Sequence, residues 1–116
     1  MATKGEVEAK LRELIARLNR ADTDVRGSLA DALPERRLVE VVVTDLDAAY
    51  WTEMTGGRMS KLHRGAATSP DIRIRAASDP LISLIDGKTS LFSSYLGGQV
   101  KVEASFTDLM RLRKLT

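Results

Sequence analysis

Between Ser78 and Leu115 the chain reads as a helix, Gly87, a second helix, Gly97-Gly98, a short alternating strand from Gln99 to Glu103, and an amphipathic helix opened by Ser105. Ser78-Asp-Pro80 is a helix start, with Ser78 or Asp79 as N-cap and proline where a missing N–H costs nothing. Leu81, Ile82, Leu84 and Ile85 make the first helix apolar, Leu91, Phe92, Tyr95 and Leu96 make the second, and each stops at glycine. Val100 and Val102 share one face of the strand. Ser105 with Asp108 three residues on approximates a capping box. Phe106, Leu109, Met110, Leu112 and Leu115 then occupy one side of the last helix, and Arg111, Arg113 and Lys114 complement its C-terminal dipole. A strand followed at once by a helix with one apolar side implies a helix laid across a sheet.

The upstream sequence supplies the rest of that sheet. Val39, Val41 and Val43 alternate with Leu38, Glu40, Val42 and Thr44, so the odd-numbered valines are expected on the core face. Asp45-Leu-Asp47 is a turn, Ala48–Thr55 a second strand, and Gly56-Gly57 a hairpin onto a third strand, Arg58–Arg64. Adjacent Tyr50 and Trp51 must face opposite ways. After the loop Gly65–Pro70, Ile72 and Ile74 alternate with Arg73 and Arg75. Before the strands, Val7, Leu11, Leu14, Ile15 and Leu18 recur at helical spacing, Asn19–Asp24 favours a turn, and Ser28–Leu33 forms a short helix before Pro34. The fold class is therefore α+β. At 116 residues the chain is expected to be one domain, with an N-terminal helical part (1–35), antiparallel strands (36–77), and helices with a last strand (78–116).

Composition removes several classes of function. Eighteen Lys and Arg against 16 Asp and Glu leave a net +2 spread along the chain, which does not make a nucleic-acid face. Cysteine is absent and no 18 apolar residues follow one another, which points to a cytoplasmic protein without a membrane span. His63 is the only histidine; no nucleophile or orienting partner sits at an interpretable spacing from it, and one histidine makes a poor zinc site. Gly56-Gly57 and Gly97-Gly98 lack the context of a phosphate-binding loop. No catalytic residue, metal ligand or cofactor is expected. Arg73 and Arg75 fit either a solvated sheet face or a partner for a lipid carboxylate or phosphate. The N-terminal helix fits either docking on the body of the domain or contact with a membrane, the former favoured by its mixed charges and lack of aromatic anchors.

Three segments, Asp71-Ile-Arg-Ile, Asp79-Pro-Leu-Ile-Ser-Leu-Ile-Asp-Gly87, and Gly98-Gln-Val-Lys-Val-Glu103 followed by Phe106–Leu115, resemble the sterol carrier protein type 2 family, as a bacterial stand-alone member. The resemblance runs in order over about residues 36–115 and departs where Ala104-Ser105 replaces a usual Gly-Asp pair. It implies a five-stranded, mainly antiparallel sheet with helices packed on one face, and an apolar tunnel between the layers for a sterol, fatty acid, acyl-CoA or phospholipid. Leu84, Ile85, Phe92, Phe106, Leu109 and Met110 are then the expected ligand-lining residues. The implied role is binding or carriage without catalysis. The alternative is an interaction or dimerisation module with a closed core. A homodimer and transient membrane contact both stay open.

Overall fold

Alternating valines in Arg37–Val43 build the strand around which the sheet assembles. The computed structural model describes residues 2–20, 35–56 and 58–113, and their side chains except those of Phe92, Leu112 and Arg113. The short helix expected at 28–33 lies outside the described residues, as does Gly57. Strand β1 (Arg37–Val43) pairs antiparallel with β2 (Ala48–Thr55) and parallel with β5 (Ile72–Ala76), which pairs antiparallel with β6 (Val100–Glu103). Two short strands, β3 (Arg58–Met59) and β4 (His63–Arg64), both pair with β2, giving the order β3-β2-β1-β5-β6 with β4 also on β2. The helices are α1 (Lys4–Arg20), α2 (Ser78–Ile85), α3 (Leu91–Leu96) and α4 (Phe106–Arg113).

The expected single strand from Arg58 to Arg64 is broken in two, so the sheet has six strands where five were expected. Ser60 causes the break. Its N–H keeps a backbone bond to the Glu53 carbonyl at 2.8 Å, but its hydroxyl accepts from the Glu53 N–H at 3.0 Å and its carbonyl accepts from the Thr52 hydroxyl at 2.8 Å, so side chains stand in for the other ladder bonds there. Asn19, at the end of α1, finishes the same edge. Its carboxamide donates to the Met59 carbonyl and accepts from the Met59 N–H, both at 2.9 Å, as a neighbouring strand would.

One face of the sheet is apolar and helix-covered. Val43, Tyr50, Ala76 and Val100 are buried there with Val7 and Leu11 of α1 and Leu81 and Ile85 of α2. The apolar stripe of α1 is thus spent on the core, and polar ties hold the helix: Glu8 to Arg64, Lys10 to Asp86 at 2.8 Å, and Arg17 to the Ile85 carbonyl at 2.8 Å. Helix α2 does not begin as its sequence suggests. The N-cap is Ala77 without a side-chain bond, because Ser78 is fully buried and its hydroxyl donates to Asp45 at 2.7 Å while accepting from the Ala2 N–H at 3.2 Å. A tertiary partner has taken the cap. Helix α3 does cap conventionally, with the Ser90 hydroxyl accepting from the Ser93 N–H.

The opposite face is polar but not uniformly wet. Glu40, expected among exposed alternates, is 2% exposed. The crossover between β4 and β5 lies over it, so its carboxylate accepts from the Ala67 N–H at 2.6 Å and from Arg73. Arg73 and Arg75 both pair with Glu103, at 3.2 and 2.9 Å. Their charge is answered within the fold. Trp51 points to this face, away from buried Tyr50, and stacks on His63 with centroids 4.0 Å apart.

Candidate functional site

The helix-covered face carries a second, thinner apolar patch. Met54 and Ile72 are buried there, and Val39, Met59, Ile74, Val102 and Ala104 pack around them only partly buried. Period-two alternation places these residues on the same face as the main core, and Ile74 and Val102 belong to both. The difference lies in the cover. Helices α1 and α2 press leucines and isoleucines into the main core, whereas no apolar side chain of α4 joins either cluster among the described residues.

What holds α4 is a polar clasp. Asp108, 4% exposed, accepts from Arg37 Nε at 2.9 Å and Nη2 at 3.2 Å in a two-pronged pair. That pairing raises the Arg37 guanidinium further above its usual range. Arg111 adds a 3.1 Å bond to Glu35. Ser105 accepts from the Asp108 N–H at 3.1 Å as the capping pattern predicts, but the Asp108 carboxylate is committed to Arg37, so the box closes in one direction only.

At the start of α4 a cleft of about 410 Å³ opens between Ser69, Pro70, Asp71, Arg73, Glu103, Ala104 and Ser105. Its charges are internally engaged. Arg75 and then Arg73 hold the Glu103 carboxyl below its ordinary range, and Glu40 and Glu103 raise Arg73. Asp71 accepts from the Leu38 N–H at 2.7 Å. Ala104 connects this polar mouth to the second apolar patch.

The six expected lining residues are distributed unevenly. Ile85 is buried in the main core with Leu84 packed against it. Leu109 is half-buried, whereas Met110 and Phe106 stand 41% and 78% exposed. The side chain of Phe92 lies outside the described ones. Sequence reasoning missed the Arg37–Asp108 clasp and the Asp45–Ser78 tie, whose partners lie 71 and 33 residues apart. Glu40, a lone carboxylate in a run of leucine and valines, was the one local signal of a buried ion pair. As for chemistry, His63 has Trp51 against its ring, and Ser78, whose hydroxyl bonds the Asp45 carboxylate, is fully buried, so no substrate reaches that hydroxyl. Among the described residues no three His, Asp or Glu side chains gather as a metal site, and no helix is long and apolar enough to cross a membrane.

The model of the SCP-2 sterol transfer family matches residues 8–116. The chain belongs to that family. Among solved structures, the SCP-2 fold here is similar to sterol carrier protein 2 like 2 from Aedes aegypti, at 12% identity over 97% of this chain and 98% of that one, with a TM-score of 0.68. The palmitated form of SCP2L2 from Aedes aegypti gives 0.62 at 10% identity over 94% and 92% of the two chains. The sec-alkylsulfatase Pisa1 from Pseudomonas sp. also gives 0.62, at 16% identity over 90% of this chain, which spans only 16% of that one. At these identities the likeness is one of fold. No curated protein matches the chain in sequence.

Proposed function

We propose that this SCP-2 chain binds a lipid-like apolar molecule, of the fatty-acid, acyl-CoA, sterol or phospholipid class, without transforming it. The ligand would lie between the sheet and the C-terminal helices, against Val39, Met54, Ile72 and Val102, with Leu109, Met110 and Phe106 closing over it. One observation carries the reading: an apolar patch of the sheet is only partly buried, and the helix α4 that Arg37 clasps beside it leaves Phe106 and Met110 exposed. A chain inserted there would supply the partner both surfaces lack. At ~0.8 kcal/mol per buried methylene, about 14 methylenes could contribute ~11 kcal/mol before ordering costs. Micromolar affinity survives the loss of several of those. The engaged charges at the cleft favour selection by apolar shape, and the cysteine-free composition suits a reducing, cytoplasmic setting.

Titration with a fluorescent fatty acid and with acyl-CoA tests the reading, alongside native mass spectrometry for co-purified lipid. Saturable binding at micromolar concentration is expected, weakened about tenfold or more by Leu109→Gln, which buries an amide against an apolar chain. Absence of saturable binding by the folded protein at tens of micromolar would refute it. A ligand-free dimer in the mass spectrum would instead favour an interaction module, for which the exposed Tyr95, Leu96, Phe106 and Met110 are the natural surface.

A further inference from the structure

Arg37 brings a charge onto the apolar face of the sheet. It stands opposite Met54 in the β1–β2 register and two residues before Val39, about 7 Å along the strand and on the same side. Arg37 is therefore at the rim of the thinner apolar patch, with its side chain 18% exposed. The group that fills its fork is the Asp108 carboxylate, bound through Nε and Nη2. Asp108 rides on α4, which adds no described apolar side chain to either cluster, so the carboxylate is kept there by its partner more than by packing. It also has a second cation at hand, Arg111, 3.9 Å away on the same helix. Asp108 can leave Arg37 without becoming an unanswered charge.

We propose that the ligand is a long-chain acid with a free carboxylate, and that on entry this carboxylate takes Arg37 from Asp108. The inference rests on the carrier reading and names the head that the site selects. A monocarboxylate reproduces both bonds that Asp108 makes to the planar fork. Trading one carboxylate for another is nearly neutral, so the drive comes from burial of the chain over Val39, Met54 and Ile72, which lie beside Arg37 on the same face. A head of higher charge fits less well. Glu35 lies 3.4 Å from the same guanidinium and Asp71 also acts on it, while the neighbouring cations Arg36 and Arg111 are bound to Glu53 and Glu35. A phosphate dianion meets added repulsion there and gains no second cation. Fatty acid is thus favoured over acyl-CoA, phospholipid and sterol. The charges of the cleft at the start of α4 leave shape to choose the chain, and Arg37 adds a choice of head. Asp108 acts as an internal stand-in for that head, so entry of the acid and release of the α4 clasp are one event.

Calorimetric titration of the whole chain with myristic acid, its methyl ester and myristoyl-CoA, each below its micelle concentration, tests the exchange. The acid should bind about tenfold more tightly than the ester, and myristoyl-CoA more weakly than the acid. Arg37→Met should bring the acid-to-ester ratio to about one, whatever it does to α4. Asp108→Asn keeps the shape of the side chain and removes the competing charge, so it should raise that ratio about tenfold further. A purely structural clasp would move both ligands together and leave the ratio where it was. In proton–nitrogen spectra the Arg37 Nε–H signal, identified by its loss in Arg37→Met, should shift with the acid and hold still with the ester. Equal affinity for acid and ester, or a ratio that either variant leaves unchanged, would overturn the proposal and leave the carrier reading standing. Binding of none of the three ligands would remove the carrier reading, and this proposal with it.

Discussion

Replacing Arg37 by methionine keeps the aliphatic stem on the sheet and removes both bonds to Asp108. Asp108 is 4% exposed and would then keep a carboxylate with only Arg111, 3.9 Å away, to answer it. Breaking a fully buried pair costs about 3–5 kcal/mol. The Arg37 side chain is 18% exposed, so solvent reaches the pair and about 2–3 kcal/mol is the better figure. Because α4 adds no described apolar side chain to either cluster, that loss should appear as local opening and leave the sheet in place. Hydrogen exchange across 107–113 should therefore speed up by roughly 30- to 150-fold, at about tenfold per 1.4 kcal/mol. Amides of Val41 and Val43, against the packed core, should change by less than about threefold. If α4 keeps its protection, the clasp is not what holds it. If sheet and helix lose protection together, α4 belongs to the cooperative core and the division drawn between the two patches is wrong.

Other expectations follow from single contacts. Asn19→Ala removes two hydrogen bonds from the sheet edge and should cost about 1–2 kcal/mol in urea unfolding; a change below about 0.5 kcal/mol would show the edge to be satisfied by water. Glu8, Asp45, Glu53, Asp86 and Glu103 are all held below their ordinary carboxylate ranges, chiefly by hydrogen bonds from Arg64, Ser78, Arg36, Lys10 and Arg75. The unfolded chain therefore binds protons more readily, so stability present above about pH 5 should fall as pH drops through 4 and below. Urea midpoints that stay level down to pH 3.5 would contradict this. His63→Ala should leave lipid titrations within about threefold while altering Trp51 emission, since it removes the stacked ring; loss of binding in a folded variant would give His63 a role that the geometry does not.

The sheet was legible because alternation is a local property. Val39, Val41 and Val43, then Ile72 and Ile74, then Val100 and Val102, each announce a face within a few residues, and all three sets share the helix-covered side. Glycines marked the ends of α2 and α3 for the same reason, Gly87 and Gly98 having φ of 77° and 76°. Contacts between distant residues were illegible. Ser78 reads as a cap until Asp45 is found beside it, Asp108 reads as half of a capping box until Arg37 claims it, and Arg58–Arg64 reads as one strand until Ser60 bonds through its side chain. The candidate site was legible at the level of helices and not of side chains: Phe106 lies on the apolar side of its helix, yet no local rule says that this side meets water.

Ile74 and Val102 belong to both apolar clusters, while Val39, Met59 and Ala104 belong to the thinner one alone. A residue in the first group is constrained twice over, by the rigidity of the packed half and by the shape of the open one. A residue in the second group answers to shape alone. Substitutions at Val39, Met59 and Ala104 would therefore reshape the ligand site proposed beside α4 without spending the stability invested around Val43 and Val100. If the proposed site holds a ligand, a scaffold divided in this way can change that ligand by drift at a few positions, and selection for a new one need not first be selection for a new way to fold.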